Sequence, residues 1–82
     1  LCLNINLEKI KNNKIFRWIK KNNVSDNEMI NTFNCGIGFC LIAEKKNIKK
    51  IQKVFKKEYK PYQIGFISKK SSNYKVFGKL QW

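Results

Sequence analysis

Thr32, Asn34, Gly36 and Gly38 share one short string, Thr32-Phe33-Asn34-Cys35-Gly36-Ile37-Gly38, which leads straight into the apolar run Phe39-Cys40-Leu41-Ile42-Ala43. Glycine takes positive φ without a Cβ clash and lets another group come close to the backbone, so the pair serves a turn or a site. As architecture, Asn34 or Gly36 is the left-handed residue that closes a preceding helix, and Gly38 is a bulge or packing contact at the start of a strand. As a site, the comparison is with phosphate loops, whose glycines follow a strand and open a helix so that the helix N-terminus faces the anion. Here the order is reversed, and neither a third glycine nor a Gly-Lys-Ser/Thr ending is present.

The other reactive side chains narrow the chemistry further. Cys2, Cys35 and Cys40 are odd in number and form no C-x-x-C pair, which argues against a disulfide framework or zinc site and for a reduced, cytoplasmic setting. No histidine is present, so Ser-His and Cys-His nucleophile pairs are excluded from this chain. The formal charge of +13, from 18 Lys and Arg against 5 Asp and Glu, attracts any polyanion. Yet 17 of the 18 cations are lysines, mixed with the Asn and Ile that AT-rich coding favours, and there is no Arg cluster or RNP-like strand. A small basic nucleic-acid-binding domain is kept as an alternative function, although nucleic acid is not the partner expected. No apolar run approaches the ~18 residues needed to cross a bilayer, and no signal-peptide pattern is present, so no membrane partner is expected.

At 82 residues the chain makes one small domain that buries about 60 to 65% of its unfolded surface. Residues 1–7 alternate, with Leu3, Ile5 and Leu7 on one side and Asn4 and Asn6 on the other, as in a strand. A short helix follows from Lys14, burying Ile15, Phe16 and Ile19 and ending near Asn22-Asn23. The next helix has the clearest start: Ser25 and Glu28 form a capping box, and Val24 with Met29 a hydrophobic staple. Asp26 and Glu28 suit its positive end, and Met29, Ile30 and Phe33 make its buried face. Residues 39–43 read as a buried strand. Asn47 then caps a helix over 48–59, with Ile48, Ile51, Val54, Phe55 and Tyr59 inward, its lysines forming a solvated surface, and Pro61 stopping it. Residues 62–67 and 74–80 alternate as two strands joined by a turn over 68–73, the simplest reading being a hairpin. The result is an α+β fold: a mixed or antiparallel sheet of about four strands, with helices packed mainly on one face.

Val24-Ser25-Asp26-Asn27-Glu28-Met29 followed by Asn31-Thr32-Phe33-Asn34-Cys35-Gly36-Ile37-Gly38, with Tyr62-Gln63-Ile64-Gly65 downstream, resembles the C-terminal domain of the phosphoribosylformylglycinamidine cyclo-ligase (AIR synthetase) family. The resemblance runs from Ile5 to about Val76. Asn31 stands where the family has Arg before Thr-Phe-Asn, and Asn13-Lys14 stand where it has a Pro-Pro pair, which implies a lost phosphate contact and a looser helix start.

The resemblance implies a part in an ATP-dependent ligase of de novo purine biosynthesis. In that reaction ATP activates the formyl oxygen of formylglycinamidine ribonucleotide, an amidine-derived nitrogen closes the imidazole ring, and Mg²⁺ assists. It further implies a cytoplasmic homodimer and a nucleotide-binding N-terminal domain that holds ATP and Mg²⁺ and is absent from these 82 residues. The chain is accordingly expected to be a truncated C-terminal domain, inactive alone, whose first strand pairs with sheet lying upstream. Within it, Thr32, Asn34, Gly36 and Gly38 are the substrate-binding candidates, the polar side chains orienting substrate and the backbone N–H groups facing a phosphate or oxyanion. No catalytic or metal-ligating residue is assigned, and Cys35 lacks any base to activate it. Selenophosphate synthetase and the glutamine-dependent amidotransferase of the same pathway share the plan, but the full Thr-Phe-Asn-x-Gly-x-Gly string favours the cyclo-ligase.

Overall fold

The computed structural model of the chain describes residues 1–69 and 73–82. It is α+β: strand β1 (Cys2–Asn6), helices α1 (Lys14–Lys20), α2 (Asp26–Thr32) and α3 (Ile48–Val54), then strands β2 (Gly65–Ser68) and β3 (Tyr74–Phe77). Single 3-10 turns at Leu7–Lys9, Lys45–Asn47 and Lys57–Tyr59 join them. The sheet is mixed, with β1 in the middle: β2 pairs with it antiparallel and β3 parallel.

That order corrects two expectations. β2 and β3 are not hairpin neighbours, because β1 lies between them and is paired with both. The first strand has no free edge left for sheet lying upstream, since Asn6 N–H donates to the Ile64 carbonyl at 2.8 Å and Leu3 N–H to the Asn73 carbonyl at 3.1 Å. Residues 70–72, part of the expected turn, lie outside the described residues. Gly65 lets β2 come close to β1, for a Cβ there would overlap the Asn4 carbonyl oxygen.

β1 also departs from the simple alternation. Asn4 is buried and Leu3 is 38% exposed. Asn4 tolerates burial because Nδ2 donates to Ser68 Oγ at 2.9 Å, to the Cys2 carbonyl at 3.2 Å and to the Phe66 carbonyl at 3.3 Å. Its amide thus links β1 to β2 through side-chain as well as ladder bonds.

The core gathers at one end of the sheet around Leu7, Met29, Cys35 and Leu80, with Ile5, Ile10, Phe16, Ile19, Val24, Phe33 and Trp82 packed against it. Helices of seven residues are too short to hold themselves in water, so this packing carries α1 and α2. Ser25 Oγ accepts the Glu28 N–H at 3.2 Å, which is one half of the expected capping box; among the described residues the Glu28 side chain does not bond back to the Ser25 N–H, while the staple residues Val24 and Met29 both join the core. Phe16 of α1 meets Phe33 edge to face at 6.4 Å, while Ile15, expected inward, is 56% exposed. The chain turns at Gly78 (φ 75°), which ends β3 short of the expected Leu80 and sends Leu80 and Trp82 into the core. Trp82 Nε1 then donates to Asp26 Oδ1 at 2.8 Å, fastening the C-terminal end to the first turn of α2.

Residues 39–43 do not form a strand, so the described sheet has three strands and not four. Among the described residues no strand lies beside this run to take its backbone hydrogen bonds, and a strand without a ladder gains nothing to offset its ordering. α3 likewise stops at Val54, well short of Tyr59, and Asn47 closes a 3-10 turn without capping through its side chain. Lys49, Lys50, Lys53, Lys56 and Lys57 would repel one another at helical spacing, and no buried face compensates: Val54 is 82% and Tyr59 74% exposed. Lys60 is extended, as a residue before proline prefers, but the helix has already ended.

The molecule is therefore a slab, 41 × 37 × 16 Å, with a radius of gyration of 14.1 Å. A compact domain of this length would have one of about 12 Å.

Candidate functional site

α2 delivers the chain to the site. Thr32 is its last residue, exposed, and Phe33 N–H completes the helix by donating to the Met29 carbonyl before its own backbone becomes extended. The helix therefore ends in an extended phenylalanine anchored on Phe16, and the left-handed residues come after it. They are Cys35 (φ 50°) and Gly36 (φ 91°). Two positive φ angles in succession define a tight reverse turn, closed by Ile37 N–H to the Asn34 carbonyl at 2.9 Å.

Asn34 holds this turn twice. Besides its carbonyl, its Oδ1 accepts the Gly36 N–H at 2.9 Å, an Asx-type bond. The Gly36 N–H is thus engaged within the turn, while Asn34 Nδ2, the Thr32 hydroxyl and the Gly38 N–H have no partner among the described residues. Gly36 also needs its missing Cβ, which would meet Asn13 Nδ2 at 3.4 Å and the Lys11 carbonyl at 3.5 Å in an already left-handed backbone.

Beside the turn lies an open apolar cleft of about 290 Å³ between α2 and the sheet, bordered by Ile5, Ile30, Phe33, Val76 and Leu80. Asn34 is the one polar side chain on its rim among the described residues; Thr32, Gly36 and Gly38 stand outside the cleft. The structure brings Asn34 and Gly36 together by a hydrogen bond and leaves Thr32 and Gly38 at either end of the turn, all four on the solvent side.

Cys35 is the reverse case. Its side chain is buried in the core with Sγ 3.7 Å from the Met29 carbonyl, and burial, aided by the charge of Asp26, pushes the thiol above its usual pKa. Cys2 is buried too, and Cys40 is exposed. Brief treatment with N-ethylmaleimide at pH 7.5 should therefore add one label, on Cys40, and peptide mapping that finds Cys35 labelled at the same rate would contradict this burial.

Sequence reasoning missed that Cys35 takes a left-handed backbone, since cysteine carries no signal for it. It also missed Trp82 as the clasp on Asp26. Elsewhere, Lys49, Lys53, Lys57 and Lys60 line a shallow groove with Gln52 and Phe55, all on exposed or half-exposed positions.

No group of three His, Cys, Asp or Glu side chains is placed to hold a metal among the described residues. Nor does the turn form a triphosphate cradle, because the Gly36 N–H is already committed to Asn34. The described residues therefore offer no ligand set for Mg²⁺. No helix among the described residues is long and apolar enough to cross a membrane.

The model of the AIR synthase related protein C-terminal domain family matches residues 3–76, nearly the whole chain. The chain belongs to this family. Within it, the chain is similar to the phosphoribosylformylglycinamidine cyclo-ligases of Staphylococcus aureus strains Newman, COL and MW2, each 39% identical over 61 residues. The matched segment covers 72% of this chain but 18% of each relative, so this AIR synthase related domain spans about a fifth of the length of those proteins. No solved structure matches it significantly.

Proposed function

We propose that this domain forms one wall of the substrate cleft of an ATP-dependent cyclo-ligase that closes the imidazole ring of formylglycinamidine ribonucleotide in de novo purine biosynthesis. The observation that carries the reading is the Asn34 turn at the rim of the apolar cleft, in a domain whose relatives are named for that reaction. Asn34 Oδ1 fixes the turn, which leaves Nδ2 to bond an oxygen of the substrate. The Thr32 hydroxyl and the Gly38 N–H flank it and supply two further donors for a phosphate or a developing oxyanion. Gly36 serves by its positive φ. Ile30 and Phe33 line the cleft and exclude water from bound substrate.

ATP and Mg²⁺ would be held by other parts of such an enzyme and would there supply the activation of the formyl oxygen. A cytoplasmic, homodimeric assembly belongs to the same proposal. The domain contributes orientation: between Thr32 and Gly38 the one titratable side chain is Cys35, which is buried.

Asn34→Asp separates the two roles of this residue. The carboxylate keeps the acceptor for the Gly36 N–H but loses the Nδ2 donor and repels phosphate. In a Staphylococcus aureus cyclo-ligase carrying this chain's residues over the matched segment, the substitution should leave the melting temperature unchanged. It should lower kcat/KM by about 10- to 100-fold, the worth of a hydrogen bond to a charged group. Full activity in the Asn34→Asp protein would remove the substrate role.

A further inference from the structure

We propose that residues 39–43 are a docking strand that pairs with the open sheet edge of an acidic polypeptide. The run Phe39-Cys40-Leu41-Ile42-Ala43 carries no charge in a chain of +13. Phe39 is 84%, Leu41 52% and Ile42 77% exposed. Among the described residues none of its backbone groups has a hydrogen-bond partner, although its composition is that of a strand. Residues 39, 41 and 43 face one way in an extended chain and 40 and 42 the other, and both sets are apolar. Such a run suits a strand covered on both faces, so its partner supplies a sheet edge together with apolar surface beside it.

The charge around the run indicates the partner's chemistry. Lys45, Lys46, Lys49, Lys50 and Lys53 follow it within ten residues, against Glu44 alone, which is paired with Lys46 at 3.3 Å. A second copy would bring another +13 to the same place, whereas carboxylates beside the edge would complement these lysines. The slab shape agrees, since a layer only 16 Å thick leaves apolar surface that another polypeptide must cover. The relatives run to more than five times the matched length, so they carry further polypeptide beside the matched segment. The inference rests on family membership and the exposed run, and not on the proposed reaction.

Cys40, exposed in the middle of the run, makes docking measurable without any turnover. The 82-residue chain is mixed with the blocked peptide acetyl-Glu-Val-Glu-Ile-Glu-Val-amide, or with its lysine counterpart acetyl-Lys-Val-Lys-Ile-Lys-Val-amide, in low salt. Maleimide labelling of Cys40 and amide exchange over 39–43 are then followed. The acidic peptide should slow both by about tenfold when present at about ten times its Kd, and the lysine peptide should not. Ile42→Lys, at a position 77% exposed, should abolish the protection without lowering the melting temperature. No protection at about 1 mM acidic peptide, a limit that corresponds to about 4 kcal/mol of binding, would overturn the proposal. So would equal protection by both peptides. Sedimentation showing that the chain alone doubles its mass as Cys40 becomes protected would give the site to a second copy and overturn it as well.

Discussion

Gly65→Ala is expected to part β1 from β2 and to lower the melting temperature by about 15 to 20 °C, the equivalent of about 3 kcal/mol in a domain this size. The added Cβ would overlap the Asn4 carbonyl oxygen and press on Ile5 Cα at 3.2 Å. Both obstacles are backbone, so no side-chain rotation relieves them. Separation of the strands also costs the Asn4 bonds to the Phe66 carbonyl and to Ser68 Oγ, leaving a buried amide poorly satisfied. Gly38→Ala is the control, because a Cβ there meets nothing within 4 Å. Thermal melts of the two proteins decide the matter: equal melting temperatures would mean that β2 does not approach β1 as described.

Met29→Ala should cost about 2 to 5 kcal/mol through lost burial and the cavity left behind. Met29 is fully buried at the centre of a cluster whose other buried members are Leu7, Cys35 and Leu80. An 82-residue domain has about 4 to 12 kcal/mol in all, so this one truncation removes a large share and should yield a loosened state that binds ANS. Met29→Leu keeps the volume and should cost less than about 1.5 kcal/mol. Chemical denaturation of the pair tests the ordering, and a smaller loss for Ala than for Leu would refute the central place given to this side chain.

What could be read from the sequence was local. Ser25 and Glu28 lie three residues apart, and Val24 and Met29 five, so the start of α2 follows from neighbours in the chain and stands as expected. The Thr32-Phe33-Asn34-Cys35-Gly36-Ile37-Gly38 string identified the family for a related reason, being a continuous pattern. Non-local features escaped. Nothing in residues 62–67 or 74–80 announces that β1 will come between them, and a hairpin is simply the shorter connection. The burial of Asn4 depends on Ser68, and the exposure of residues 39–43 on the lack of a neighbouring strand; neither partner is visible from the residues themselves. At the site, the Asn34-Gly36 bond turned a suspected anion donor into a structural tie, a distinction that needs coordinates.

The central place of β1 sets an order of events during synthesis. Its partner Phe66 lies 62 residues downstream of Asn4, so at about 5 to 20 residues per second β1 waits about 3 to 12 s for its first ladder. A nascent chain acquires this sheet only once Gly65–Phe77 have followed β1, and pairings of such high contact order form slowly.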